Sequence, residues 1–250
     1  MKLRTRMITL VCTLMVAIAI APQSAIGARP SNPVTLTPPY DSSFAGPWCY
    51  QEGTSVCTAT AIAVKGTGRA TVSGTASDPG GLDATATGTA FAYPRGSFYE
   101  TFKIPNNGAS SVTFTVSSYI YSAEAHVDEL QPTYAQVYYF ASGRVSNGSC
   151  ADCYATATAV IADDNPSTVA PESRNNDSQT FTFQLKSSSG HRLQGNITIY
   201  LSLRAEAGVW RGTGCTITAT GSACPSFPTE AHAHAQGDAV FQTITANFVP

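Results

Sequence analysis

Two histidines separated by one residue, in the stretch TEAHAHAQGD at 229–238, are the first place in this sequence where residue type and spacing could support chemistry. Alternate side chains share a face of a β-strand. Glu230, His232, His234, Gln236 and Asp238 therefore line one side, and Ala231, Ala233, Ala235 and Gly237 the other. Imidazole pairs hold zinc or copper, but such a site needs a third ligand and outer groups that orient each ring. Glu230 is available, as is His126 from the similar stretch AEAHVDE. Local spacing fixes neither, so His232 and His234 are expected on a solvated face, with no metal or other cofactor. After Gly237 the apolar residues Val240, Ile244 and Phe248 change phase, which predicts a turn or bulge at Gln236–Asp238.

Carboxylates are the second candidate. Glycoside hydrolysis uses two of them facing each other at about 5–10 Å. Glu124, Asp128 and Glu129 cluster in sequence, while Glu100 and Glu206 stand on separate strands. Nothing in their spacing sets two face to face, and exposed strand carboxylates are the commoner arrangement. No G-x-S-x-G elbow is present. The oxygen-rich stretch 162–179, with Asp163, Asp164, Asn165, Asn176 and Asp177, is a calcium alternative. It follows no defined loop motif, and a solvated loop is expected. Thr-x-Thr units begin at 58, 85, 156 and 216 without a constant period, so no solenoid ice-binding array is indicated.

The aromatic cluster is richer. Tyr119, Tyr121, Tyr134, Tyr138, Tyr139 and Phe140 fall within a short span. Aromatic faces stack on sugar rings, and tyrosine adds a polar tip. These tyrosines are candidate ligand-binding residues, although alternation buries one face of any such strand and sends about half of them into a core.

Six cysteines remain outside the first 27 residues: Cys49, Cys57, Cys150, Cys153, Cys215 and Cys224. An even number in an exported chain implies disulfides, and closeness in sequence favours Cys49–Cys57, Cys150–Cys153 and Cys215–Cys224. Cys150 and Cys153 also have C-x-x-C spacing. A redox site would want a helix N-terminus there, but an Ala/Thr strand pattern follows.

The elements that must carry these residues are strands. Apolar residues alternate with period two through most of the chain, with Gly and Pro clusters between runs. In Asn196–Glu206, Ile197, Ile199, Leu201, Leu203 and Ala205 take one face, and Thr198, Tyr200, Ser202, Arg204 and Glu206 the other. Phe181, Phe183 and Leu185 alternate just before it, and the intervening SSSGHRLQG reads as a hairpin connection. Other strands, TATAIAV from Thr58 and YATATAVI from Tyr154, are nearly all Ala on one face, so a second layer can approach them closely. The class is all-β, an antiparallel β-sandwich stapled by disulfides. Residues 28–47 are Pro- and Ser-rich and read as an N-terminal arm, with one sandwich domain over 48–250.

The small-residue strands, FYETFKIPNNGASSVTFTV, the alternating AEAHV and the closing AHAHAQGDAVFQTITANF together resemble secreted bacterial β-sandwich proteins of uncharacterised function. Many of those carry a Pro-Glu-Pro sorting signal, which the C-terminal ITANFVP does not show. The resemblance implies an extracellular, jelly-roll-like fold and transfers no catalytic residue.

The N-terminus sets the expected location. Lys2, Arg4 and Arg6 precede an apolar run from Met7 to Ala21 and then small residues ending at Gly27, the build of a signal peptide over 1–27. Without it the chain carries 11 basic against 16 acidic residues, a balance of −5. There is no basic stripe, which argues against nucleic acid, and no second membrane span is expected. Secretion is expected, with an extracellular partner or glycan as ligand. The functional expectation is a structural or interaction module without catalysis. A carbohydrate-binding sandwich and a paired-carboxylate hydrolase are the alternatives.

Overall fold

The structure, a computed structural model, describes residues 33–78, 89–127, 133–146, 154–164, 172–187, 191–210, 216–218, 221–223 and 231–250. Fifteen strands, numbered in chain order, occupy them. They are β1 (Val34–Leu36), β2 (Ser42–Gly46), β3 (Cys49–Glu52), β4 (Val56–Val64) and β5 (Arg69–Asp78). There follow β6 (Thr89–Ala92), β7 (Arg95–Lys103), β8 (Ser111–Val127), β9 (Thr133–Ser146) and β10 (Tyr154–Asp164). The last are β11 (Ser173–Lys186), β12 (Asn196–Trp210), β13 (Thr216–Thr218), β14 (Gly221–Ala223) and β15 (Ala231–Val249).

Two antiparallel sheets pack face to face. The first runs β11-β8-β15-β5-β4, with β1 continuing the β5 side of β15. The second runs β10-β9-β12, after which β7 and then β6 pair with successive parts of β12. Outside these, β2 borders β7 and β3 borders β6. A short ribbon of β13 and β14 stands apart from both sheets.

Alternation decided which side chains meet. Ile197, Ile199, Leu201, Leu203 and Ala205 of β12 are all buried. Rings from both sheets interlock, Phe98 against Phe241 at 5.8 Å and Tyr139 against Phe181 at 5.6 Å between centroids. Where β5 faces β6 and β7, small residues replace rings and the layers close up. A Cβ on Gly96 would lie 2.8 Å from the Ala70 Cβ, and one on Gly74 3.0 Å from the Ala92 Cβ. This is the close approach expected of alanine-faced strands.

Three local expectations need correction. SSSGHRLQG is not a hairpin: β11 lies in the first sheet against β8, and β12 in the second between β9 and β7. Alternation identified both strands but carries no information about their partners. Second, the phase change in β15 comes later than Gln236–Asp238. A register irregularity against β8 does fall between Asp238 and Ala239, with Tyr121 of β8 skipped, but Ala239 and Phe241 are still buried; a second shift between Phe241 and Thr243 makes Gln242 the extra residue at which the buried phase changes. There the Phe241 N–H donates to the Gly68 carbonyl, and its own carbonyl accepts from the buried Tyr40 hydroxyl. The ladder partner of β15 changes from β5 to β1 just beyond that point. Third, the stretch 162–179 is partly strand, since Asp163 and Asp164 close β10 and Ser173–Gln179 opens β11. Within the Pro-rich stretch 28–47, Val34–Leu36 and Ser42–Gly46 pair with β15 and β7, and Tyr40 is fully buried.

Cys49 and Cys57 form a disulfide with a Cα separation of 6.0 Å. It ties β3 of the second sheet to β4 of the first. Cys150, Cys153, Cys215 and Cys224 lie outside the described residues, as do Glu230, Asp128, Glu129 and the segment 1–27.

Candidate functional site

The inner face of the second sheet is apolar, built of aliphatic side chains with Phe98, Phe102 and Tyr139, while the polar side chains and the remaining rings of its strands point outward. On β12 those positions are Tyr200, Ser202, Arg204, Glu206 and Gly208, which pair across the ladder with Ser142, Phe140, Tyr138, Gln136 and Tyr134 of β9. β7 contributes Arg95, Ser97 and Tyr99 beside β12. Phe91 of β6 and Tyr50 of β3 follow the same alternation.

A groove crosses this face where the outer strands break. The run β6–β7 is interrupted at Tyr93–Pro94, and β2–β3 at Pro47–Trp48. Proline has no N–H to continue a ladder. The Tyr93 N–H instead donates to the Trp48 carbonyl at 2.8 Å, which keeps the two breaks side by side. The resulting groove encloses about 410 Å³ between Phe44, Trp48, Tyr93, Arg95, Tyr138, Arg204 and Glu206.

Its outer wall is a platform of rings. Trp48 stacks on Tyr50 with 10° between planes and meets Tyr93 at 5.1 Å. Trp48 stays 52% exposed and Phe44 47%. Solvated rings of this size beside a groove offer a stacking surface. Glycines seat neighbouring rings: a Cβ on Gly208 would lie 2.3 Å from the Tyr134 ring, and one on Gly46 2.7 Å from Phe44.

The inner wall is charged. The Arg204 guanidinium lies 3.9 Å from the centre of the Phe140 ring, with Tyr138 and Tyr200 flanking it at 6.0 Å. The Tyr138 hydroxyl donates to Glu206 Oε1. Burial, and then that carboxylate, push the Tyr138 phenol up to about 12 against the opposing pull of Arg204. For Tyr200, burial acts upward, but Ser202, Ser97 and Arg204 outweigh it and lower the phenol from its ordinary value. Tyr93 and Tyr134 share a 2.7 Å hydroxyl–hydroxyl contact, and burial followed by that contact raises Tyr134 well above the usual range. The groove thus combines stacking rings, hydroxyl donors and acceptors, a carboxylate and two guanidiniums.

The candidate tyrosines separate into three places. Tyr134 and Tyr138 border the groove region, and Tyr139 is fully buried between the sheets. Tyr119 and Tyr121 stand on the outer face of the first sheet, where Arg69 lies 4.6 Å from the Tyr121 ring and pairs with Asp238. The histidines also belong to that face. His234 sits directly across from His126, and His126 Nδ1 is 3.7 Å from Asp164. His232 faces outward two residues along. Among the described residues no group of three or more His, Cys, Asp or Glu side chains could hold a metal ion. The described candidate carboxylates are dispersed: Glu124 accepts from Gln236 at 2.9 Å on the first sheet, Glu206 lies in the groove, and Glu100 is half-buried on β7.

Sequence reasoning missed Phe44, Trp48, Tyr93 and Arg95, which lie on short outer strands or at the Pro-containing breaks between them, where too few residues alternate to show a pattern. One signal was available: the outward positions of β12 put a ring, a cation and a carboxylate, Tyr200, Arg204 and Glu206, on one face of one strand. The chain matches no protein-family model and no curated protein.

Proposed function

We propose that the chain is an exported carbohydrate-binding β-sandwich whose sugar site is the groove on the second sheet. The observation that carries this is the ring platform of Trp48, Tyr50, Tyr93 and Phe44, solvent-exposed in part and bordering a groove that also holds Arg204 and Glu206. Sugar rings offer apolar faces and a rim of hydroxyls, which matches stacking surface beside charged hydrogen-bonding groups. Export is supported by the signal-peptide pattern of residues 1–27 together with the Cys49–Cys57 disulfide, since oxidised cysteines persist outside reducing compartments.

The finer architecture of this reading is a jelly roll. Supporting it, β5→β6, β7→β8, β8→β9, β10→β11, β11→β12 and β12→β15 all pass between the sheets. The resulting orders β5-β15-β8-β11 and β7-β12-β9-β10 have the form of two interlocked Greek keys.

The test is a glycan-array screen of the chain lacking residues 1–27, beside a Trp48→Ala variant. Binding to one class of glycan that the variant loses is expected. An array on which the native protein binds nothing would overturn the reading.

A further inference from the structure

Arg95 and Arg204 are direct cross-strand partners on β7 and β12, both on the outer face and both lining the groove. Like charges directly opposite each other destabilise a sheet. Guanidinium groups keep their charge at any ordinary pH, so the repulsion does not titrate away. Among the described residues neither makes an ion pair with a carboxylate. Each lies instead against a ring, Arg204 on Phe140 at 3.9 Å and Arg95 on Phe44 at 5.6 Å. The buried Arg204 Nε has no hydrogen-bond acceptor. Glu206, the groove's own carboxylate, is already engaged by the Tyr138 hydroxyl. Two aromatic-backed cations are therefore held side by side without an ion-pair partner among the described residues, at the edge of a stacking platform.

We propose that the groove binds acidic sugars, with the carboxylate of a uronate residue between Arg95 and Arg204. This rests on the carbohydrate reading and adds the class of sugar. A planar carboxylate accepts fork-like hydrogen bonds from guanidinium, and bridging both arginines removes their mutual repulsion. Glu206, one outward position along β12 from Arg204, accepts from a hydroxyl of the same ring, while the sugar's apolar face lies on Trp48 and Tyr93. The overall balance of −5 after residue 27 gives no general attraction for polyanions. Selectivity belongs to this arginine pair.

Titration calorimetry of the chain lacking residues 1–27, against a panel of polyuronates, the same polymers with carboxyl groups reduced to alcohols, and a sulfated neutral glycan, tests it. At least one polyuronate is expected to bind about tenfold more tightly than its reduced form, the scale of one charge-assisted contact. Arg95→Gln, at an exposed strand end, is expected to narrow that ratio, and Arg95→Lys to restore it only in part. The ratio should also shrink with added salt. Equal affinity for acidic and reduced forms, or a preference for a sulfated neutral glycan over every polyuronate, overturns the uronate assignment and leaves the carbohydrate reading standing. Binding to none of the polymers, together with an empty glycan array, overturns both.

Discussion

Trp48 carries more of the proposed site than any other residue, because it is half exposed yet held by ring contacts with Tyr50 and Tyr93. Preorganised rings lose little entropy on binding. Trp48→Ala is expected to weaken glycan binding by about 2 kcal/mol, roughly thirtyfold in Kd. Folding should change by only about 0.5 kcal/mol, as for a surface position; calorimetry with a urea melt separates the two. Glu100 carries a different expectation. Burial raises its carboxyl above the ordinary value, and the Asp41 and Thr101 N–H groups and Lys65 offset this only in part. The folded protein therefore holds this proton more tightly than the unfolded chain does. That contribution is fully present below the ordinary carboxylate value and is lost as pH rises through the raised one. Glu100→Gln keeps an acceptor for Asp41 and removes the titration. Urea midpoints from about pH 4.5 to 7, the range above the ordinary carboxylate value, should decline less steeply in the variant; an unchanged slope would count against the assignment.

At the scale of elements, the alanine- and glycine-faced strands decide how closely the sheets approach. Gly96 of β7 has the Ala70 Cβ and the Ile62 carbonyl each 2.8 Å from where its own Cβ would stand. Gly96→Ala is expected to destabilise the fold by about 1–3 kcal/mol through overpacking, read as a lower urea midpoint with unchanged m-value. Arg95, one residue away, would shift with the strand, so sugar binding should weaken too. Cys57, Ala59, Ala61 and Ala63 of β4 face the interior, whereas Val56, Ile62 and Val64 are exposed on the other side of this edge strand. The Ala/Thr pattern announced these thin walls in advance. The Gln242 bulge was not announced, because it answers a change of ladder partner that local sequence does not contain.

For the whole molecule, the Cys49–Cys57 bridge joins the two sheets at one edge and fixes the residue that follows Trp48. Closing so short a loop is worth about 2–3 kcal/mol in the chain-entropy account. Replacing both cysteines with serine should therefore lower stability by about that amount. It should also reduce glycan binding at temperatures where the variant is still folded, because β3 carries Tyr50 and leads from Trp48. Loss of stability with full retention of binding would separate the disulfide from the site.

The amino-acid sequence by itself determined the all-strand composition, which face of β12 is buried, the close pairing of Cys49 with Cys57, and the small-residue faces that let two layers meet. Each follows from period-two alternation or from nearness along the chain, so no distant residue had to be known. Only the tertiary structure decided that β11 and β12 belong to different sheets, that Tyr139 is core while Tyr138 is surface in a groove, and that His126 stands opposite His234. It alone joined Phe44, Trp48, Tyr93, Arg95, Tyr138, Arg204 and Glu206. The reason is register: a strand's own pattern states which way its side chains point, but which strand lies beside it depends on how far-separated segments jointly bury their apolar faces. The groove draws on residues from 44 to 206, so its chemistry exists only once β2, β7, β9 and β12 have assembled into the second sheet.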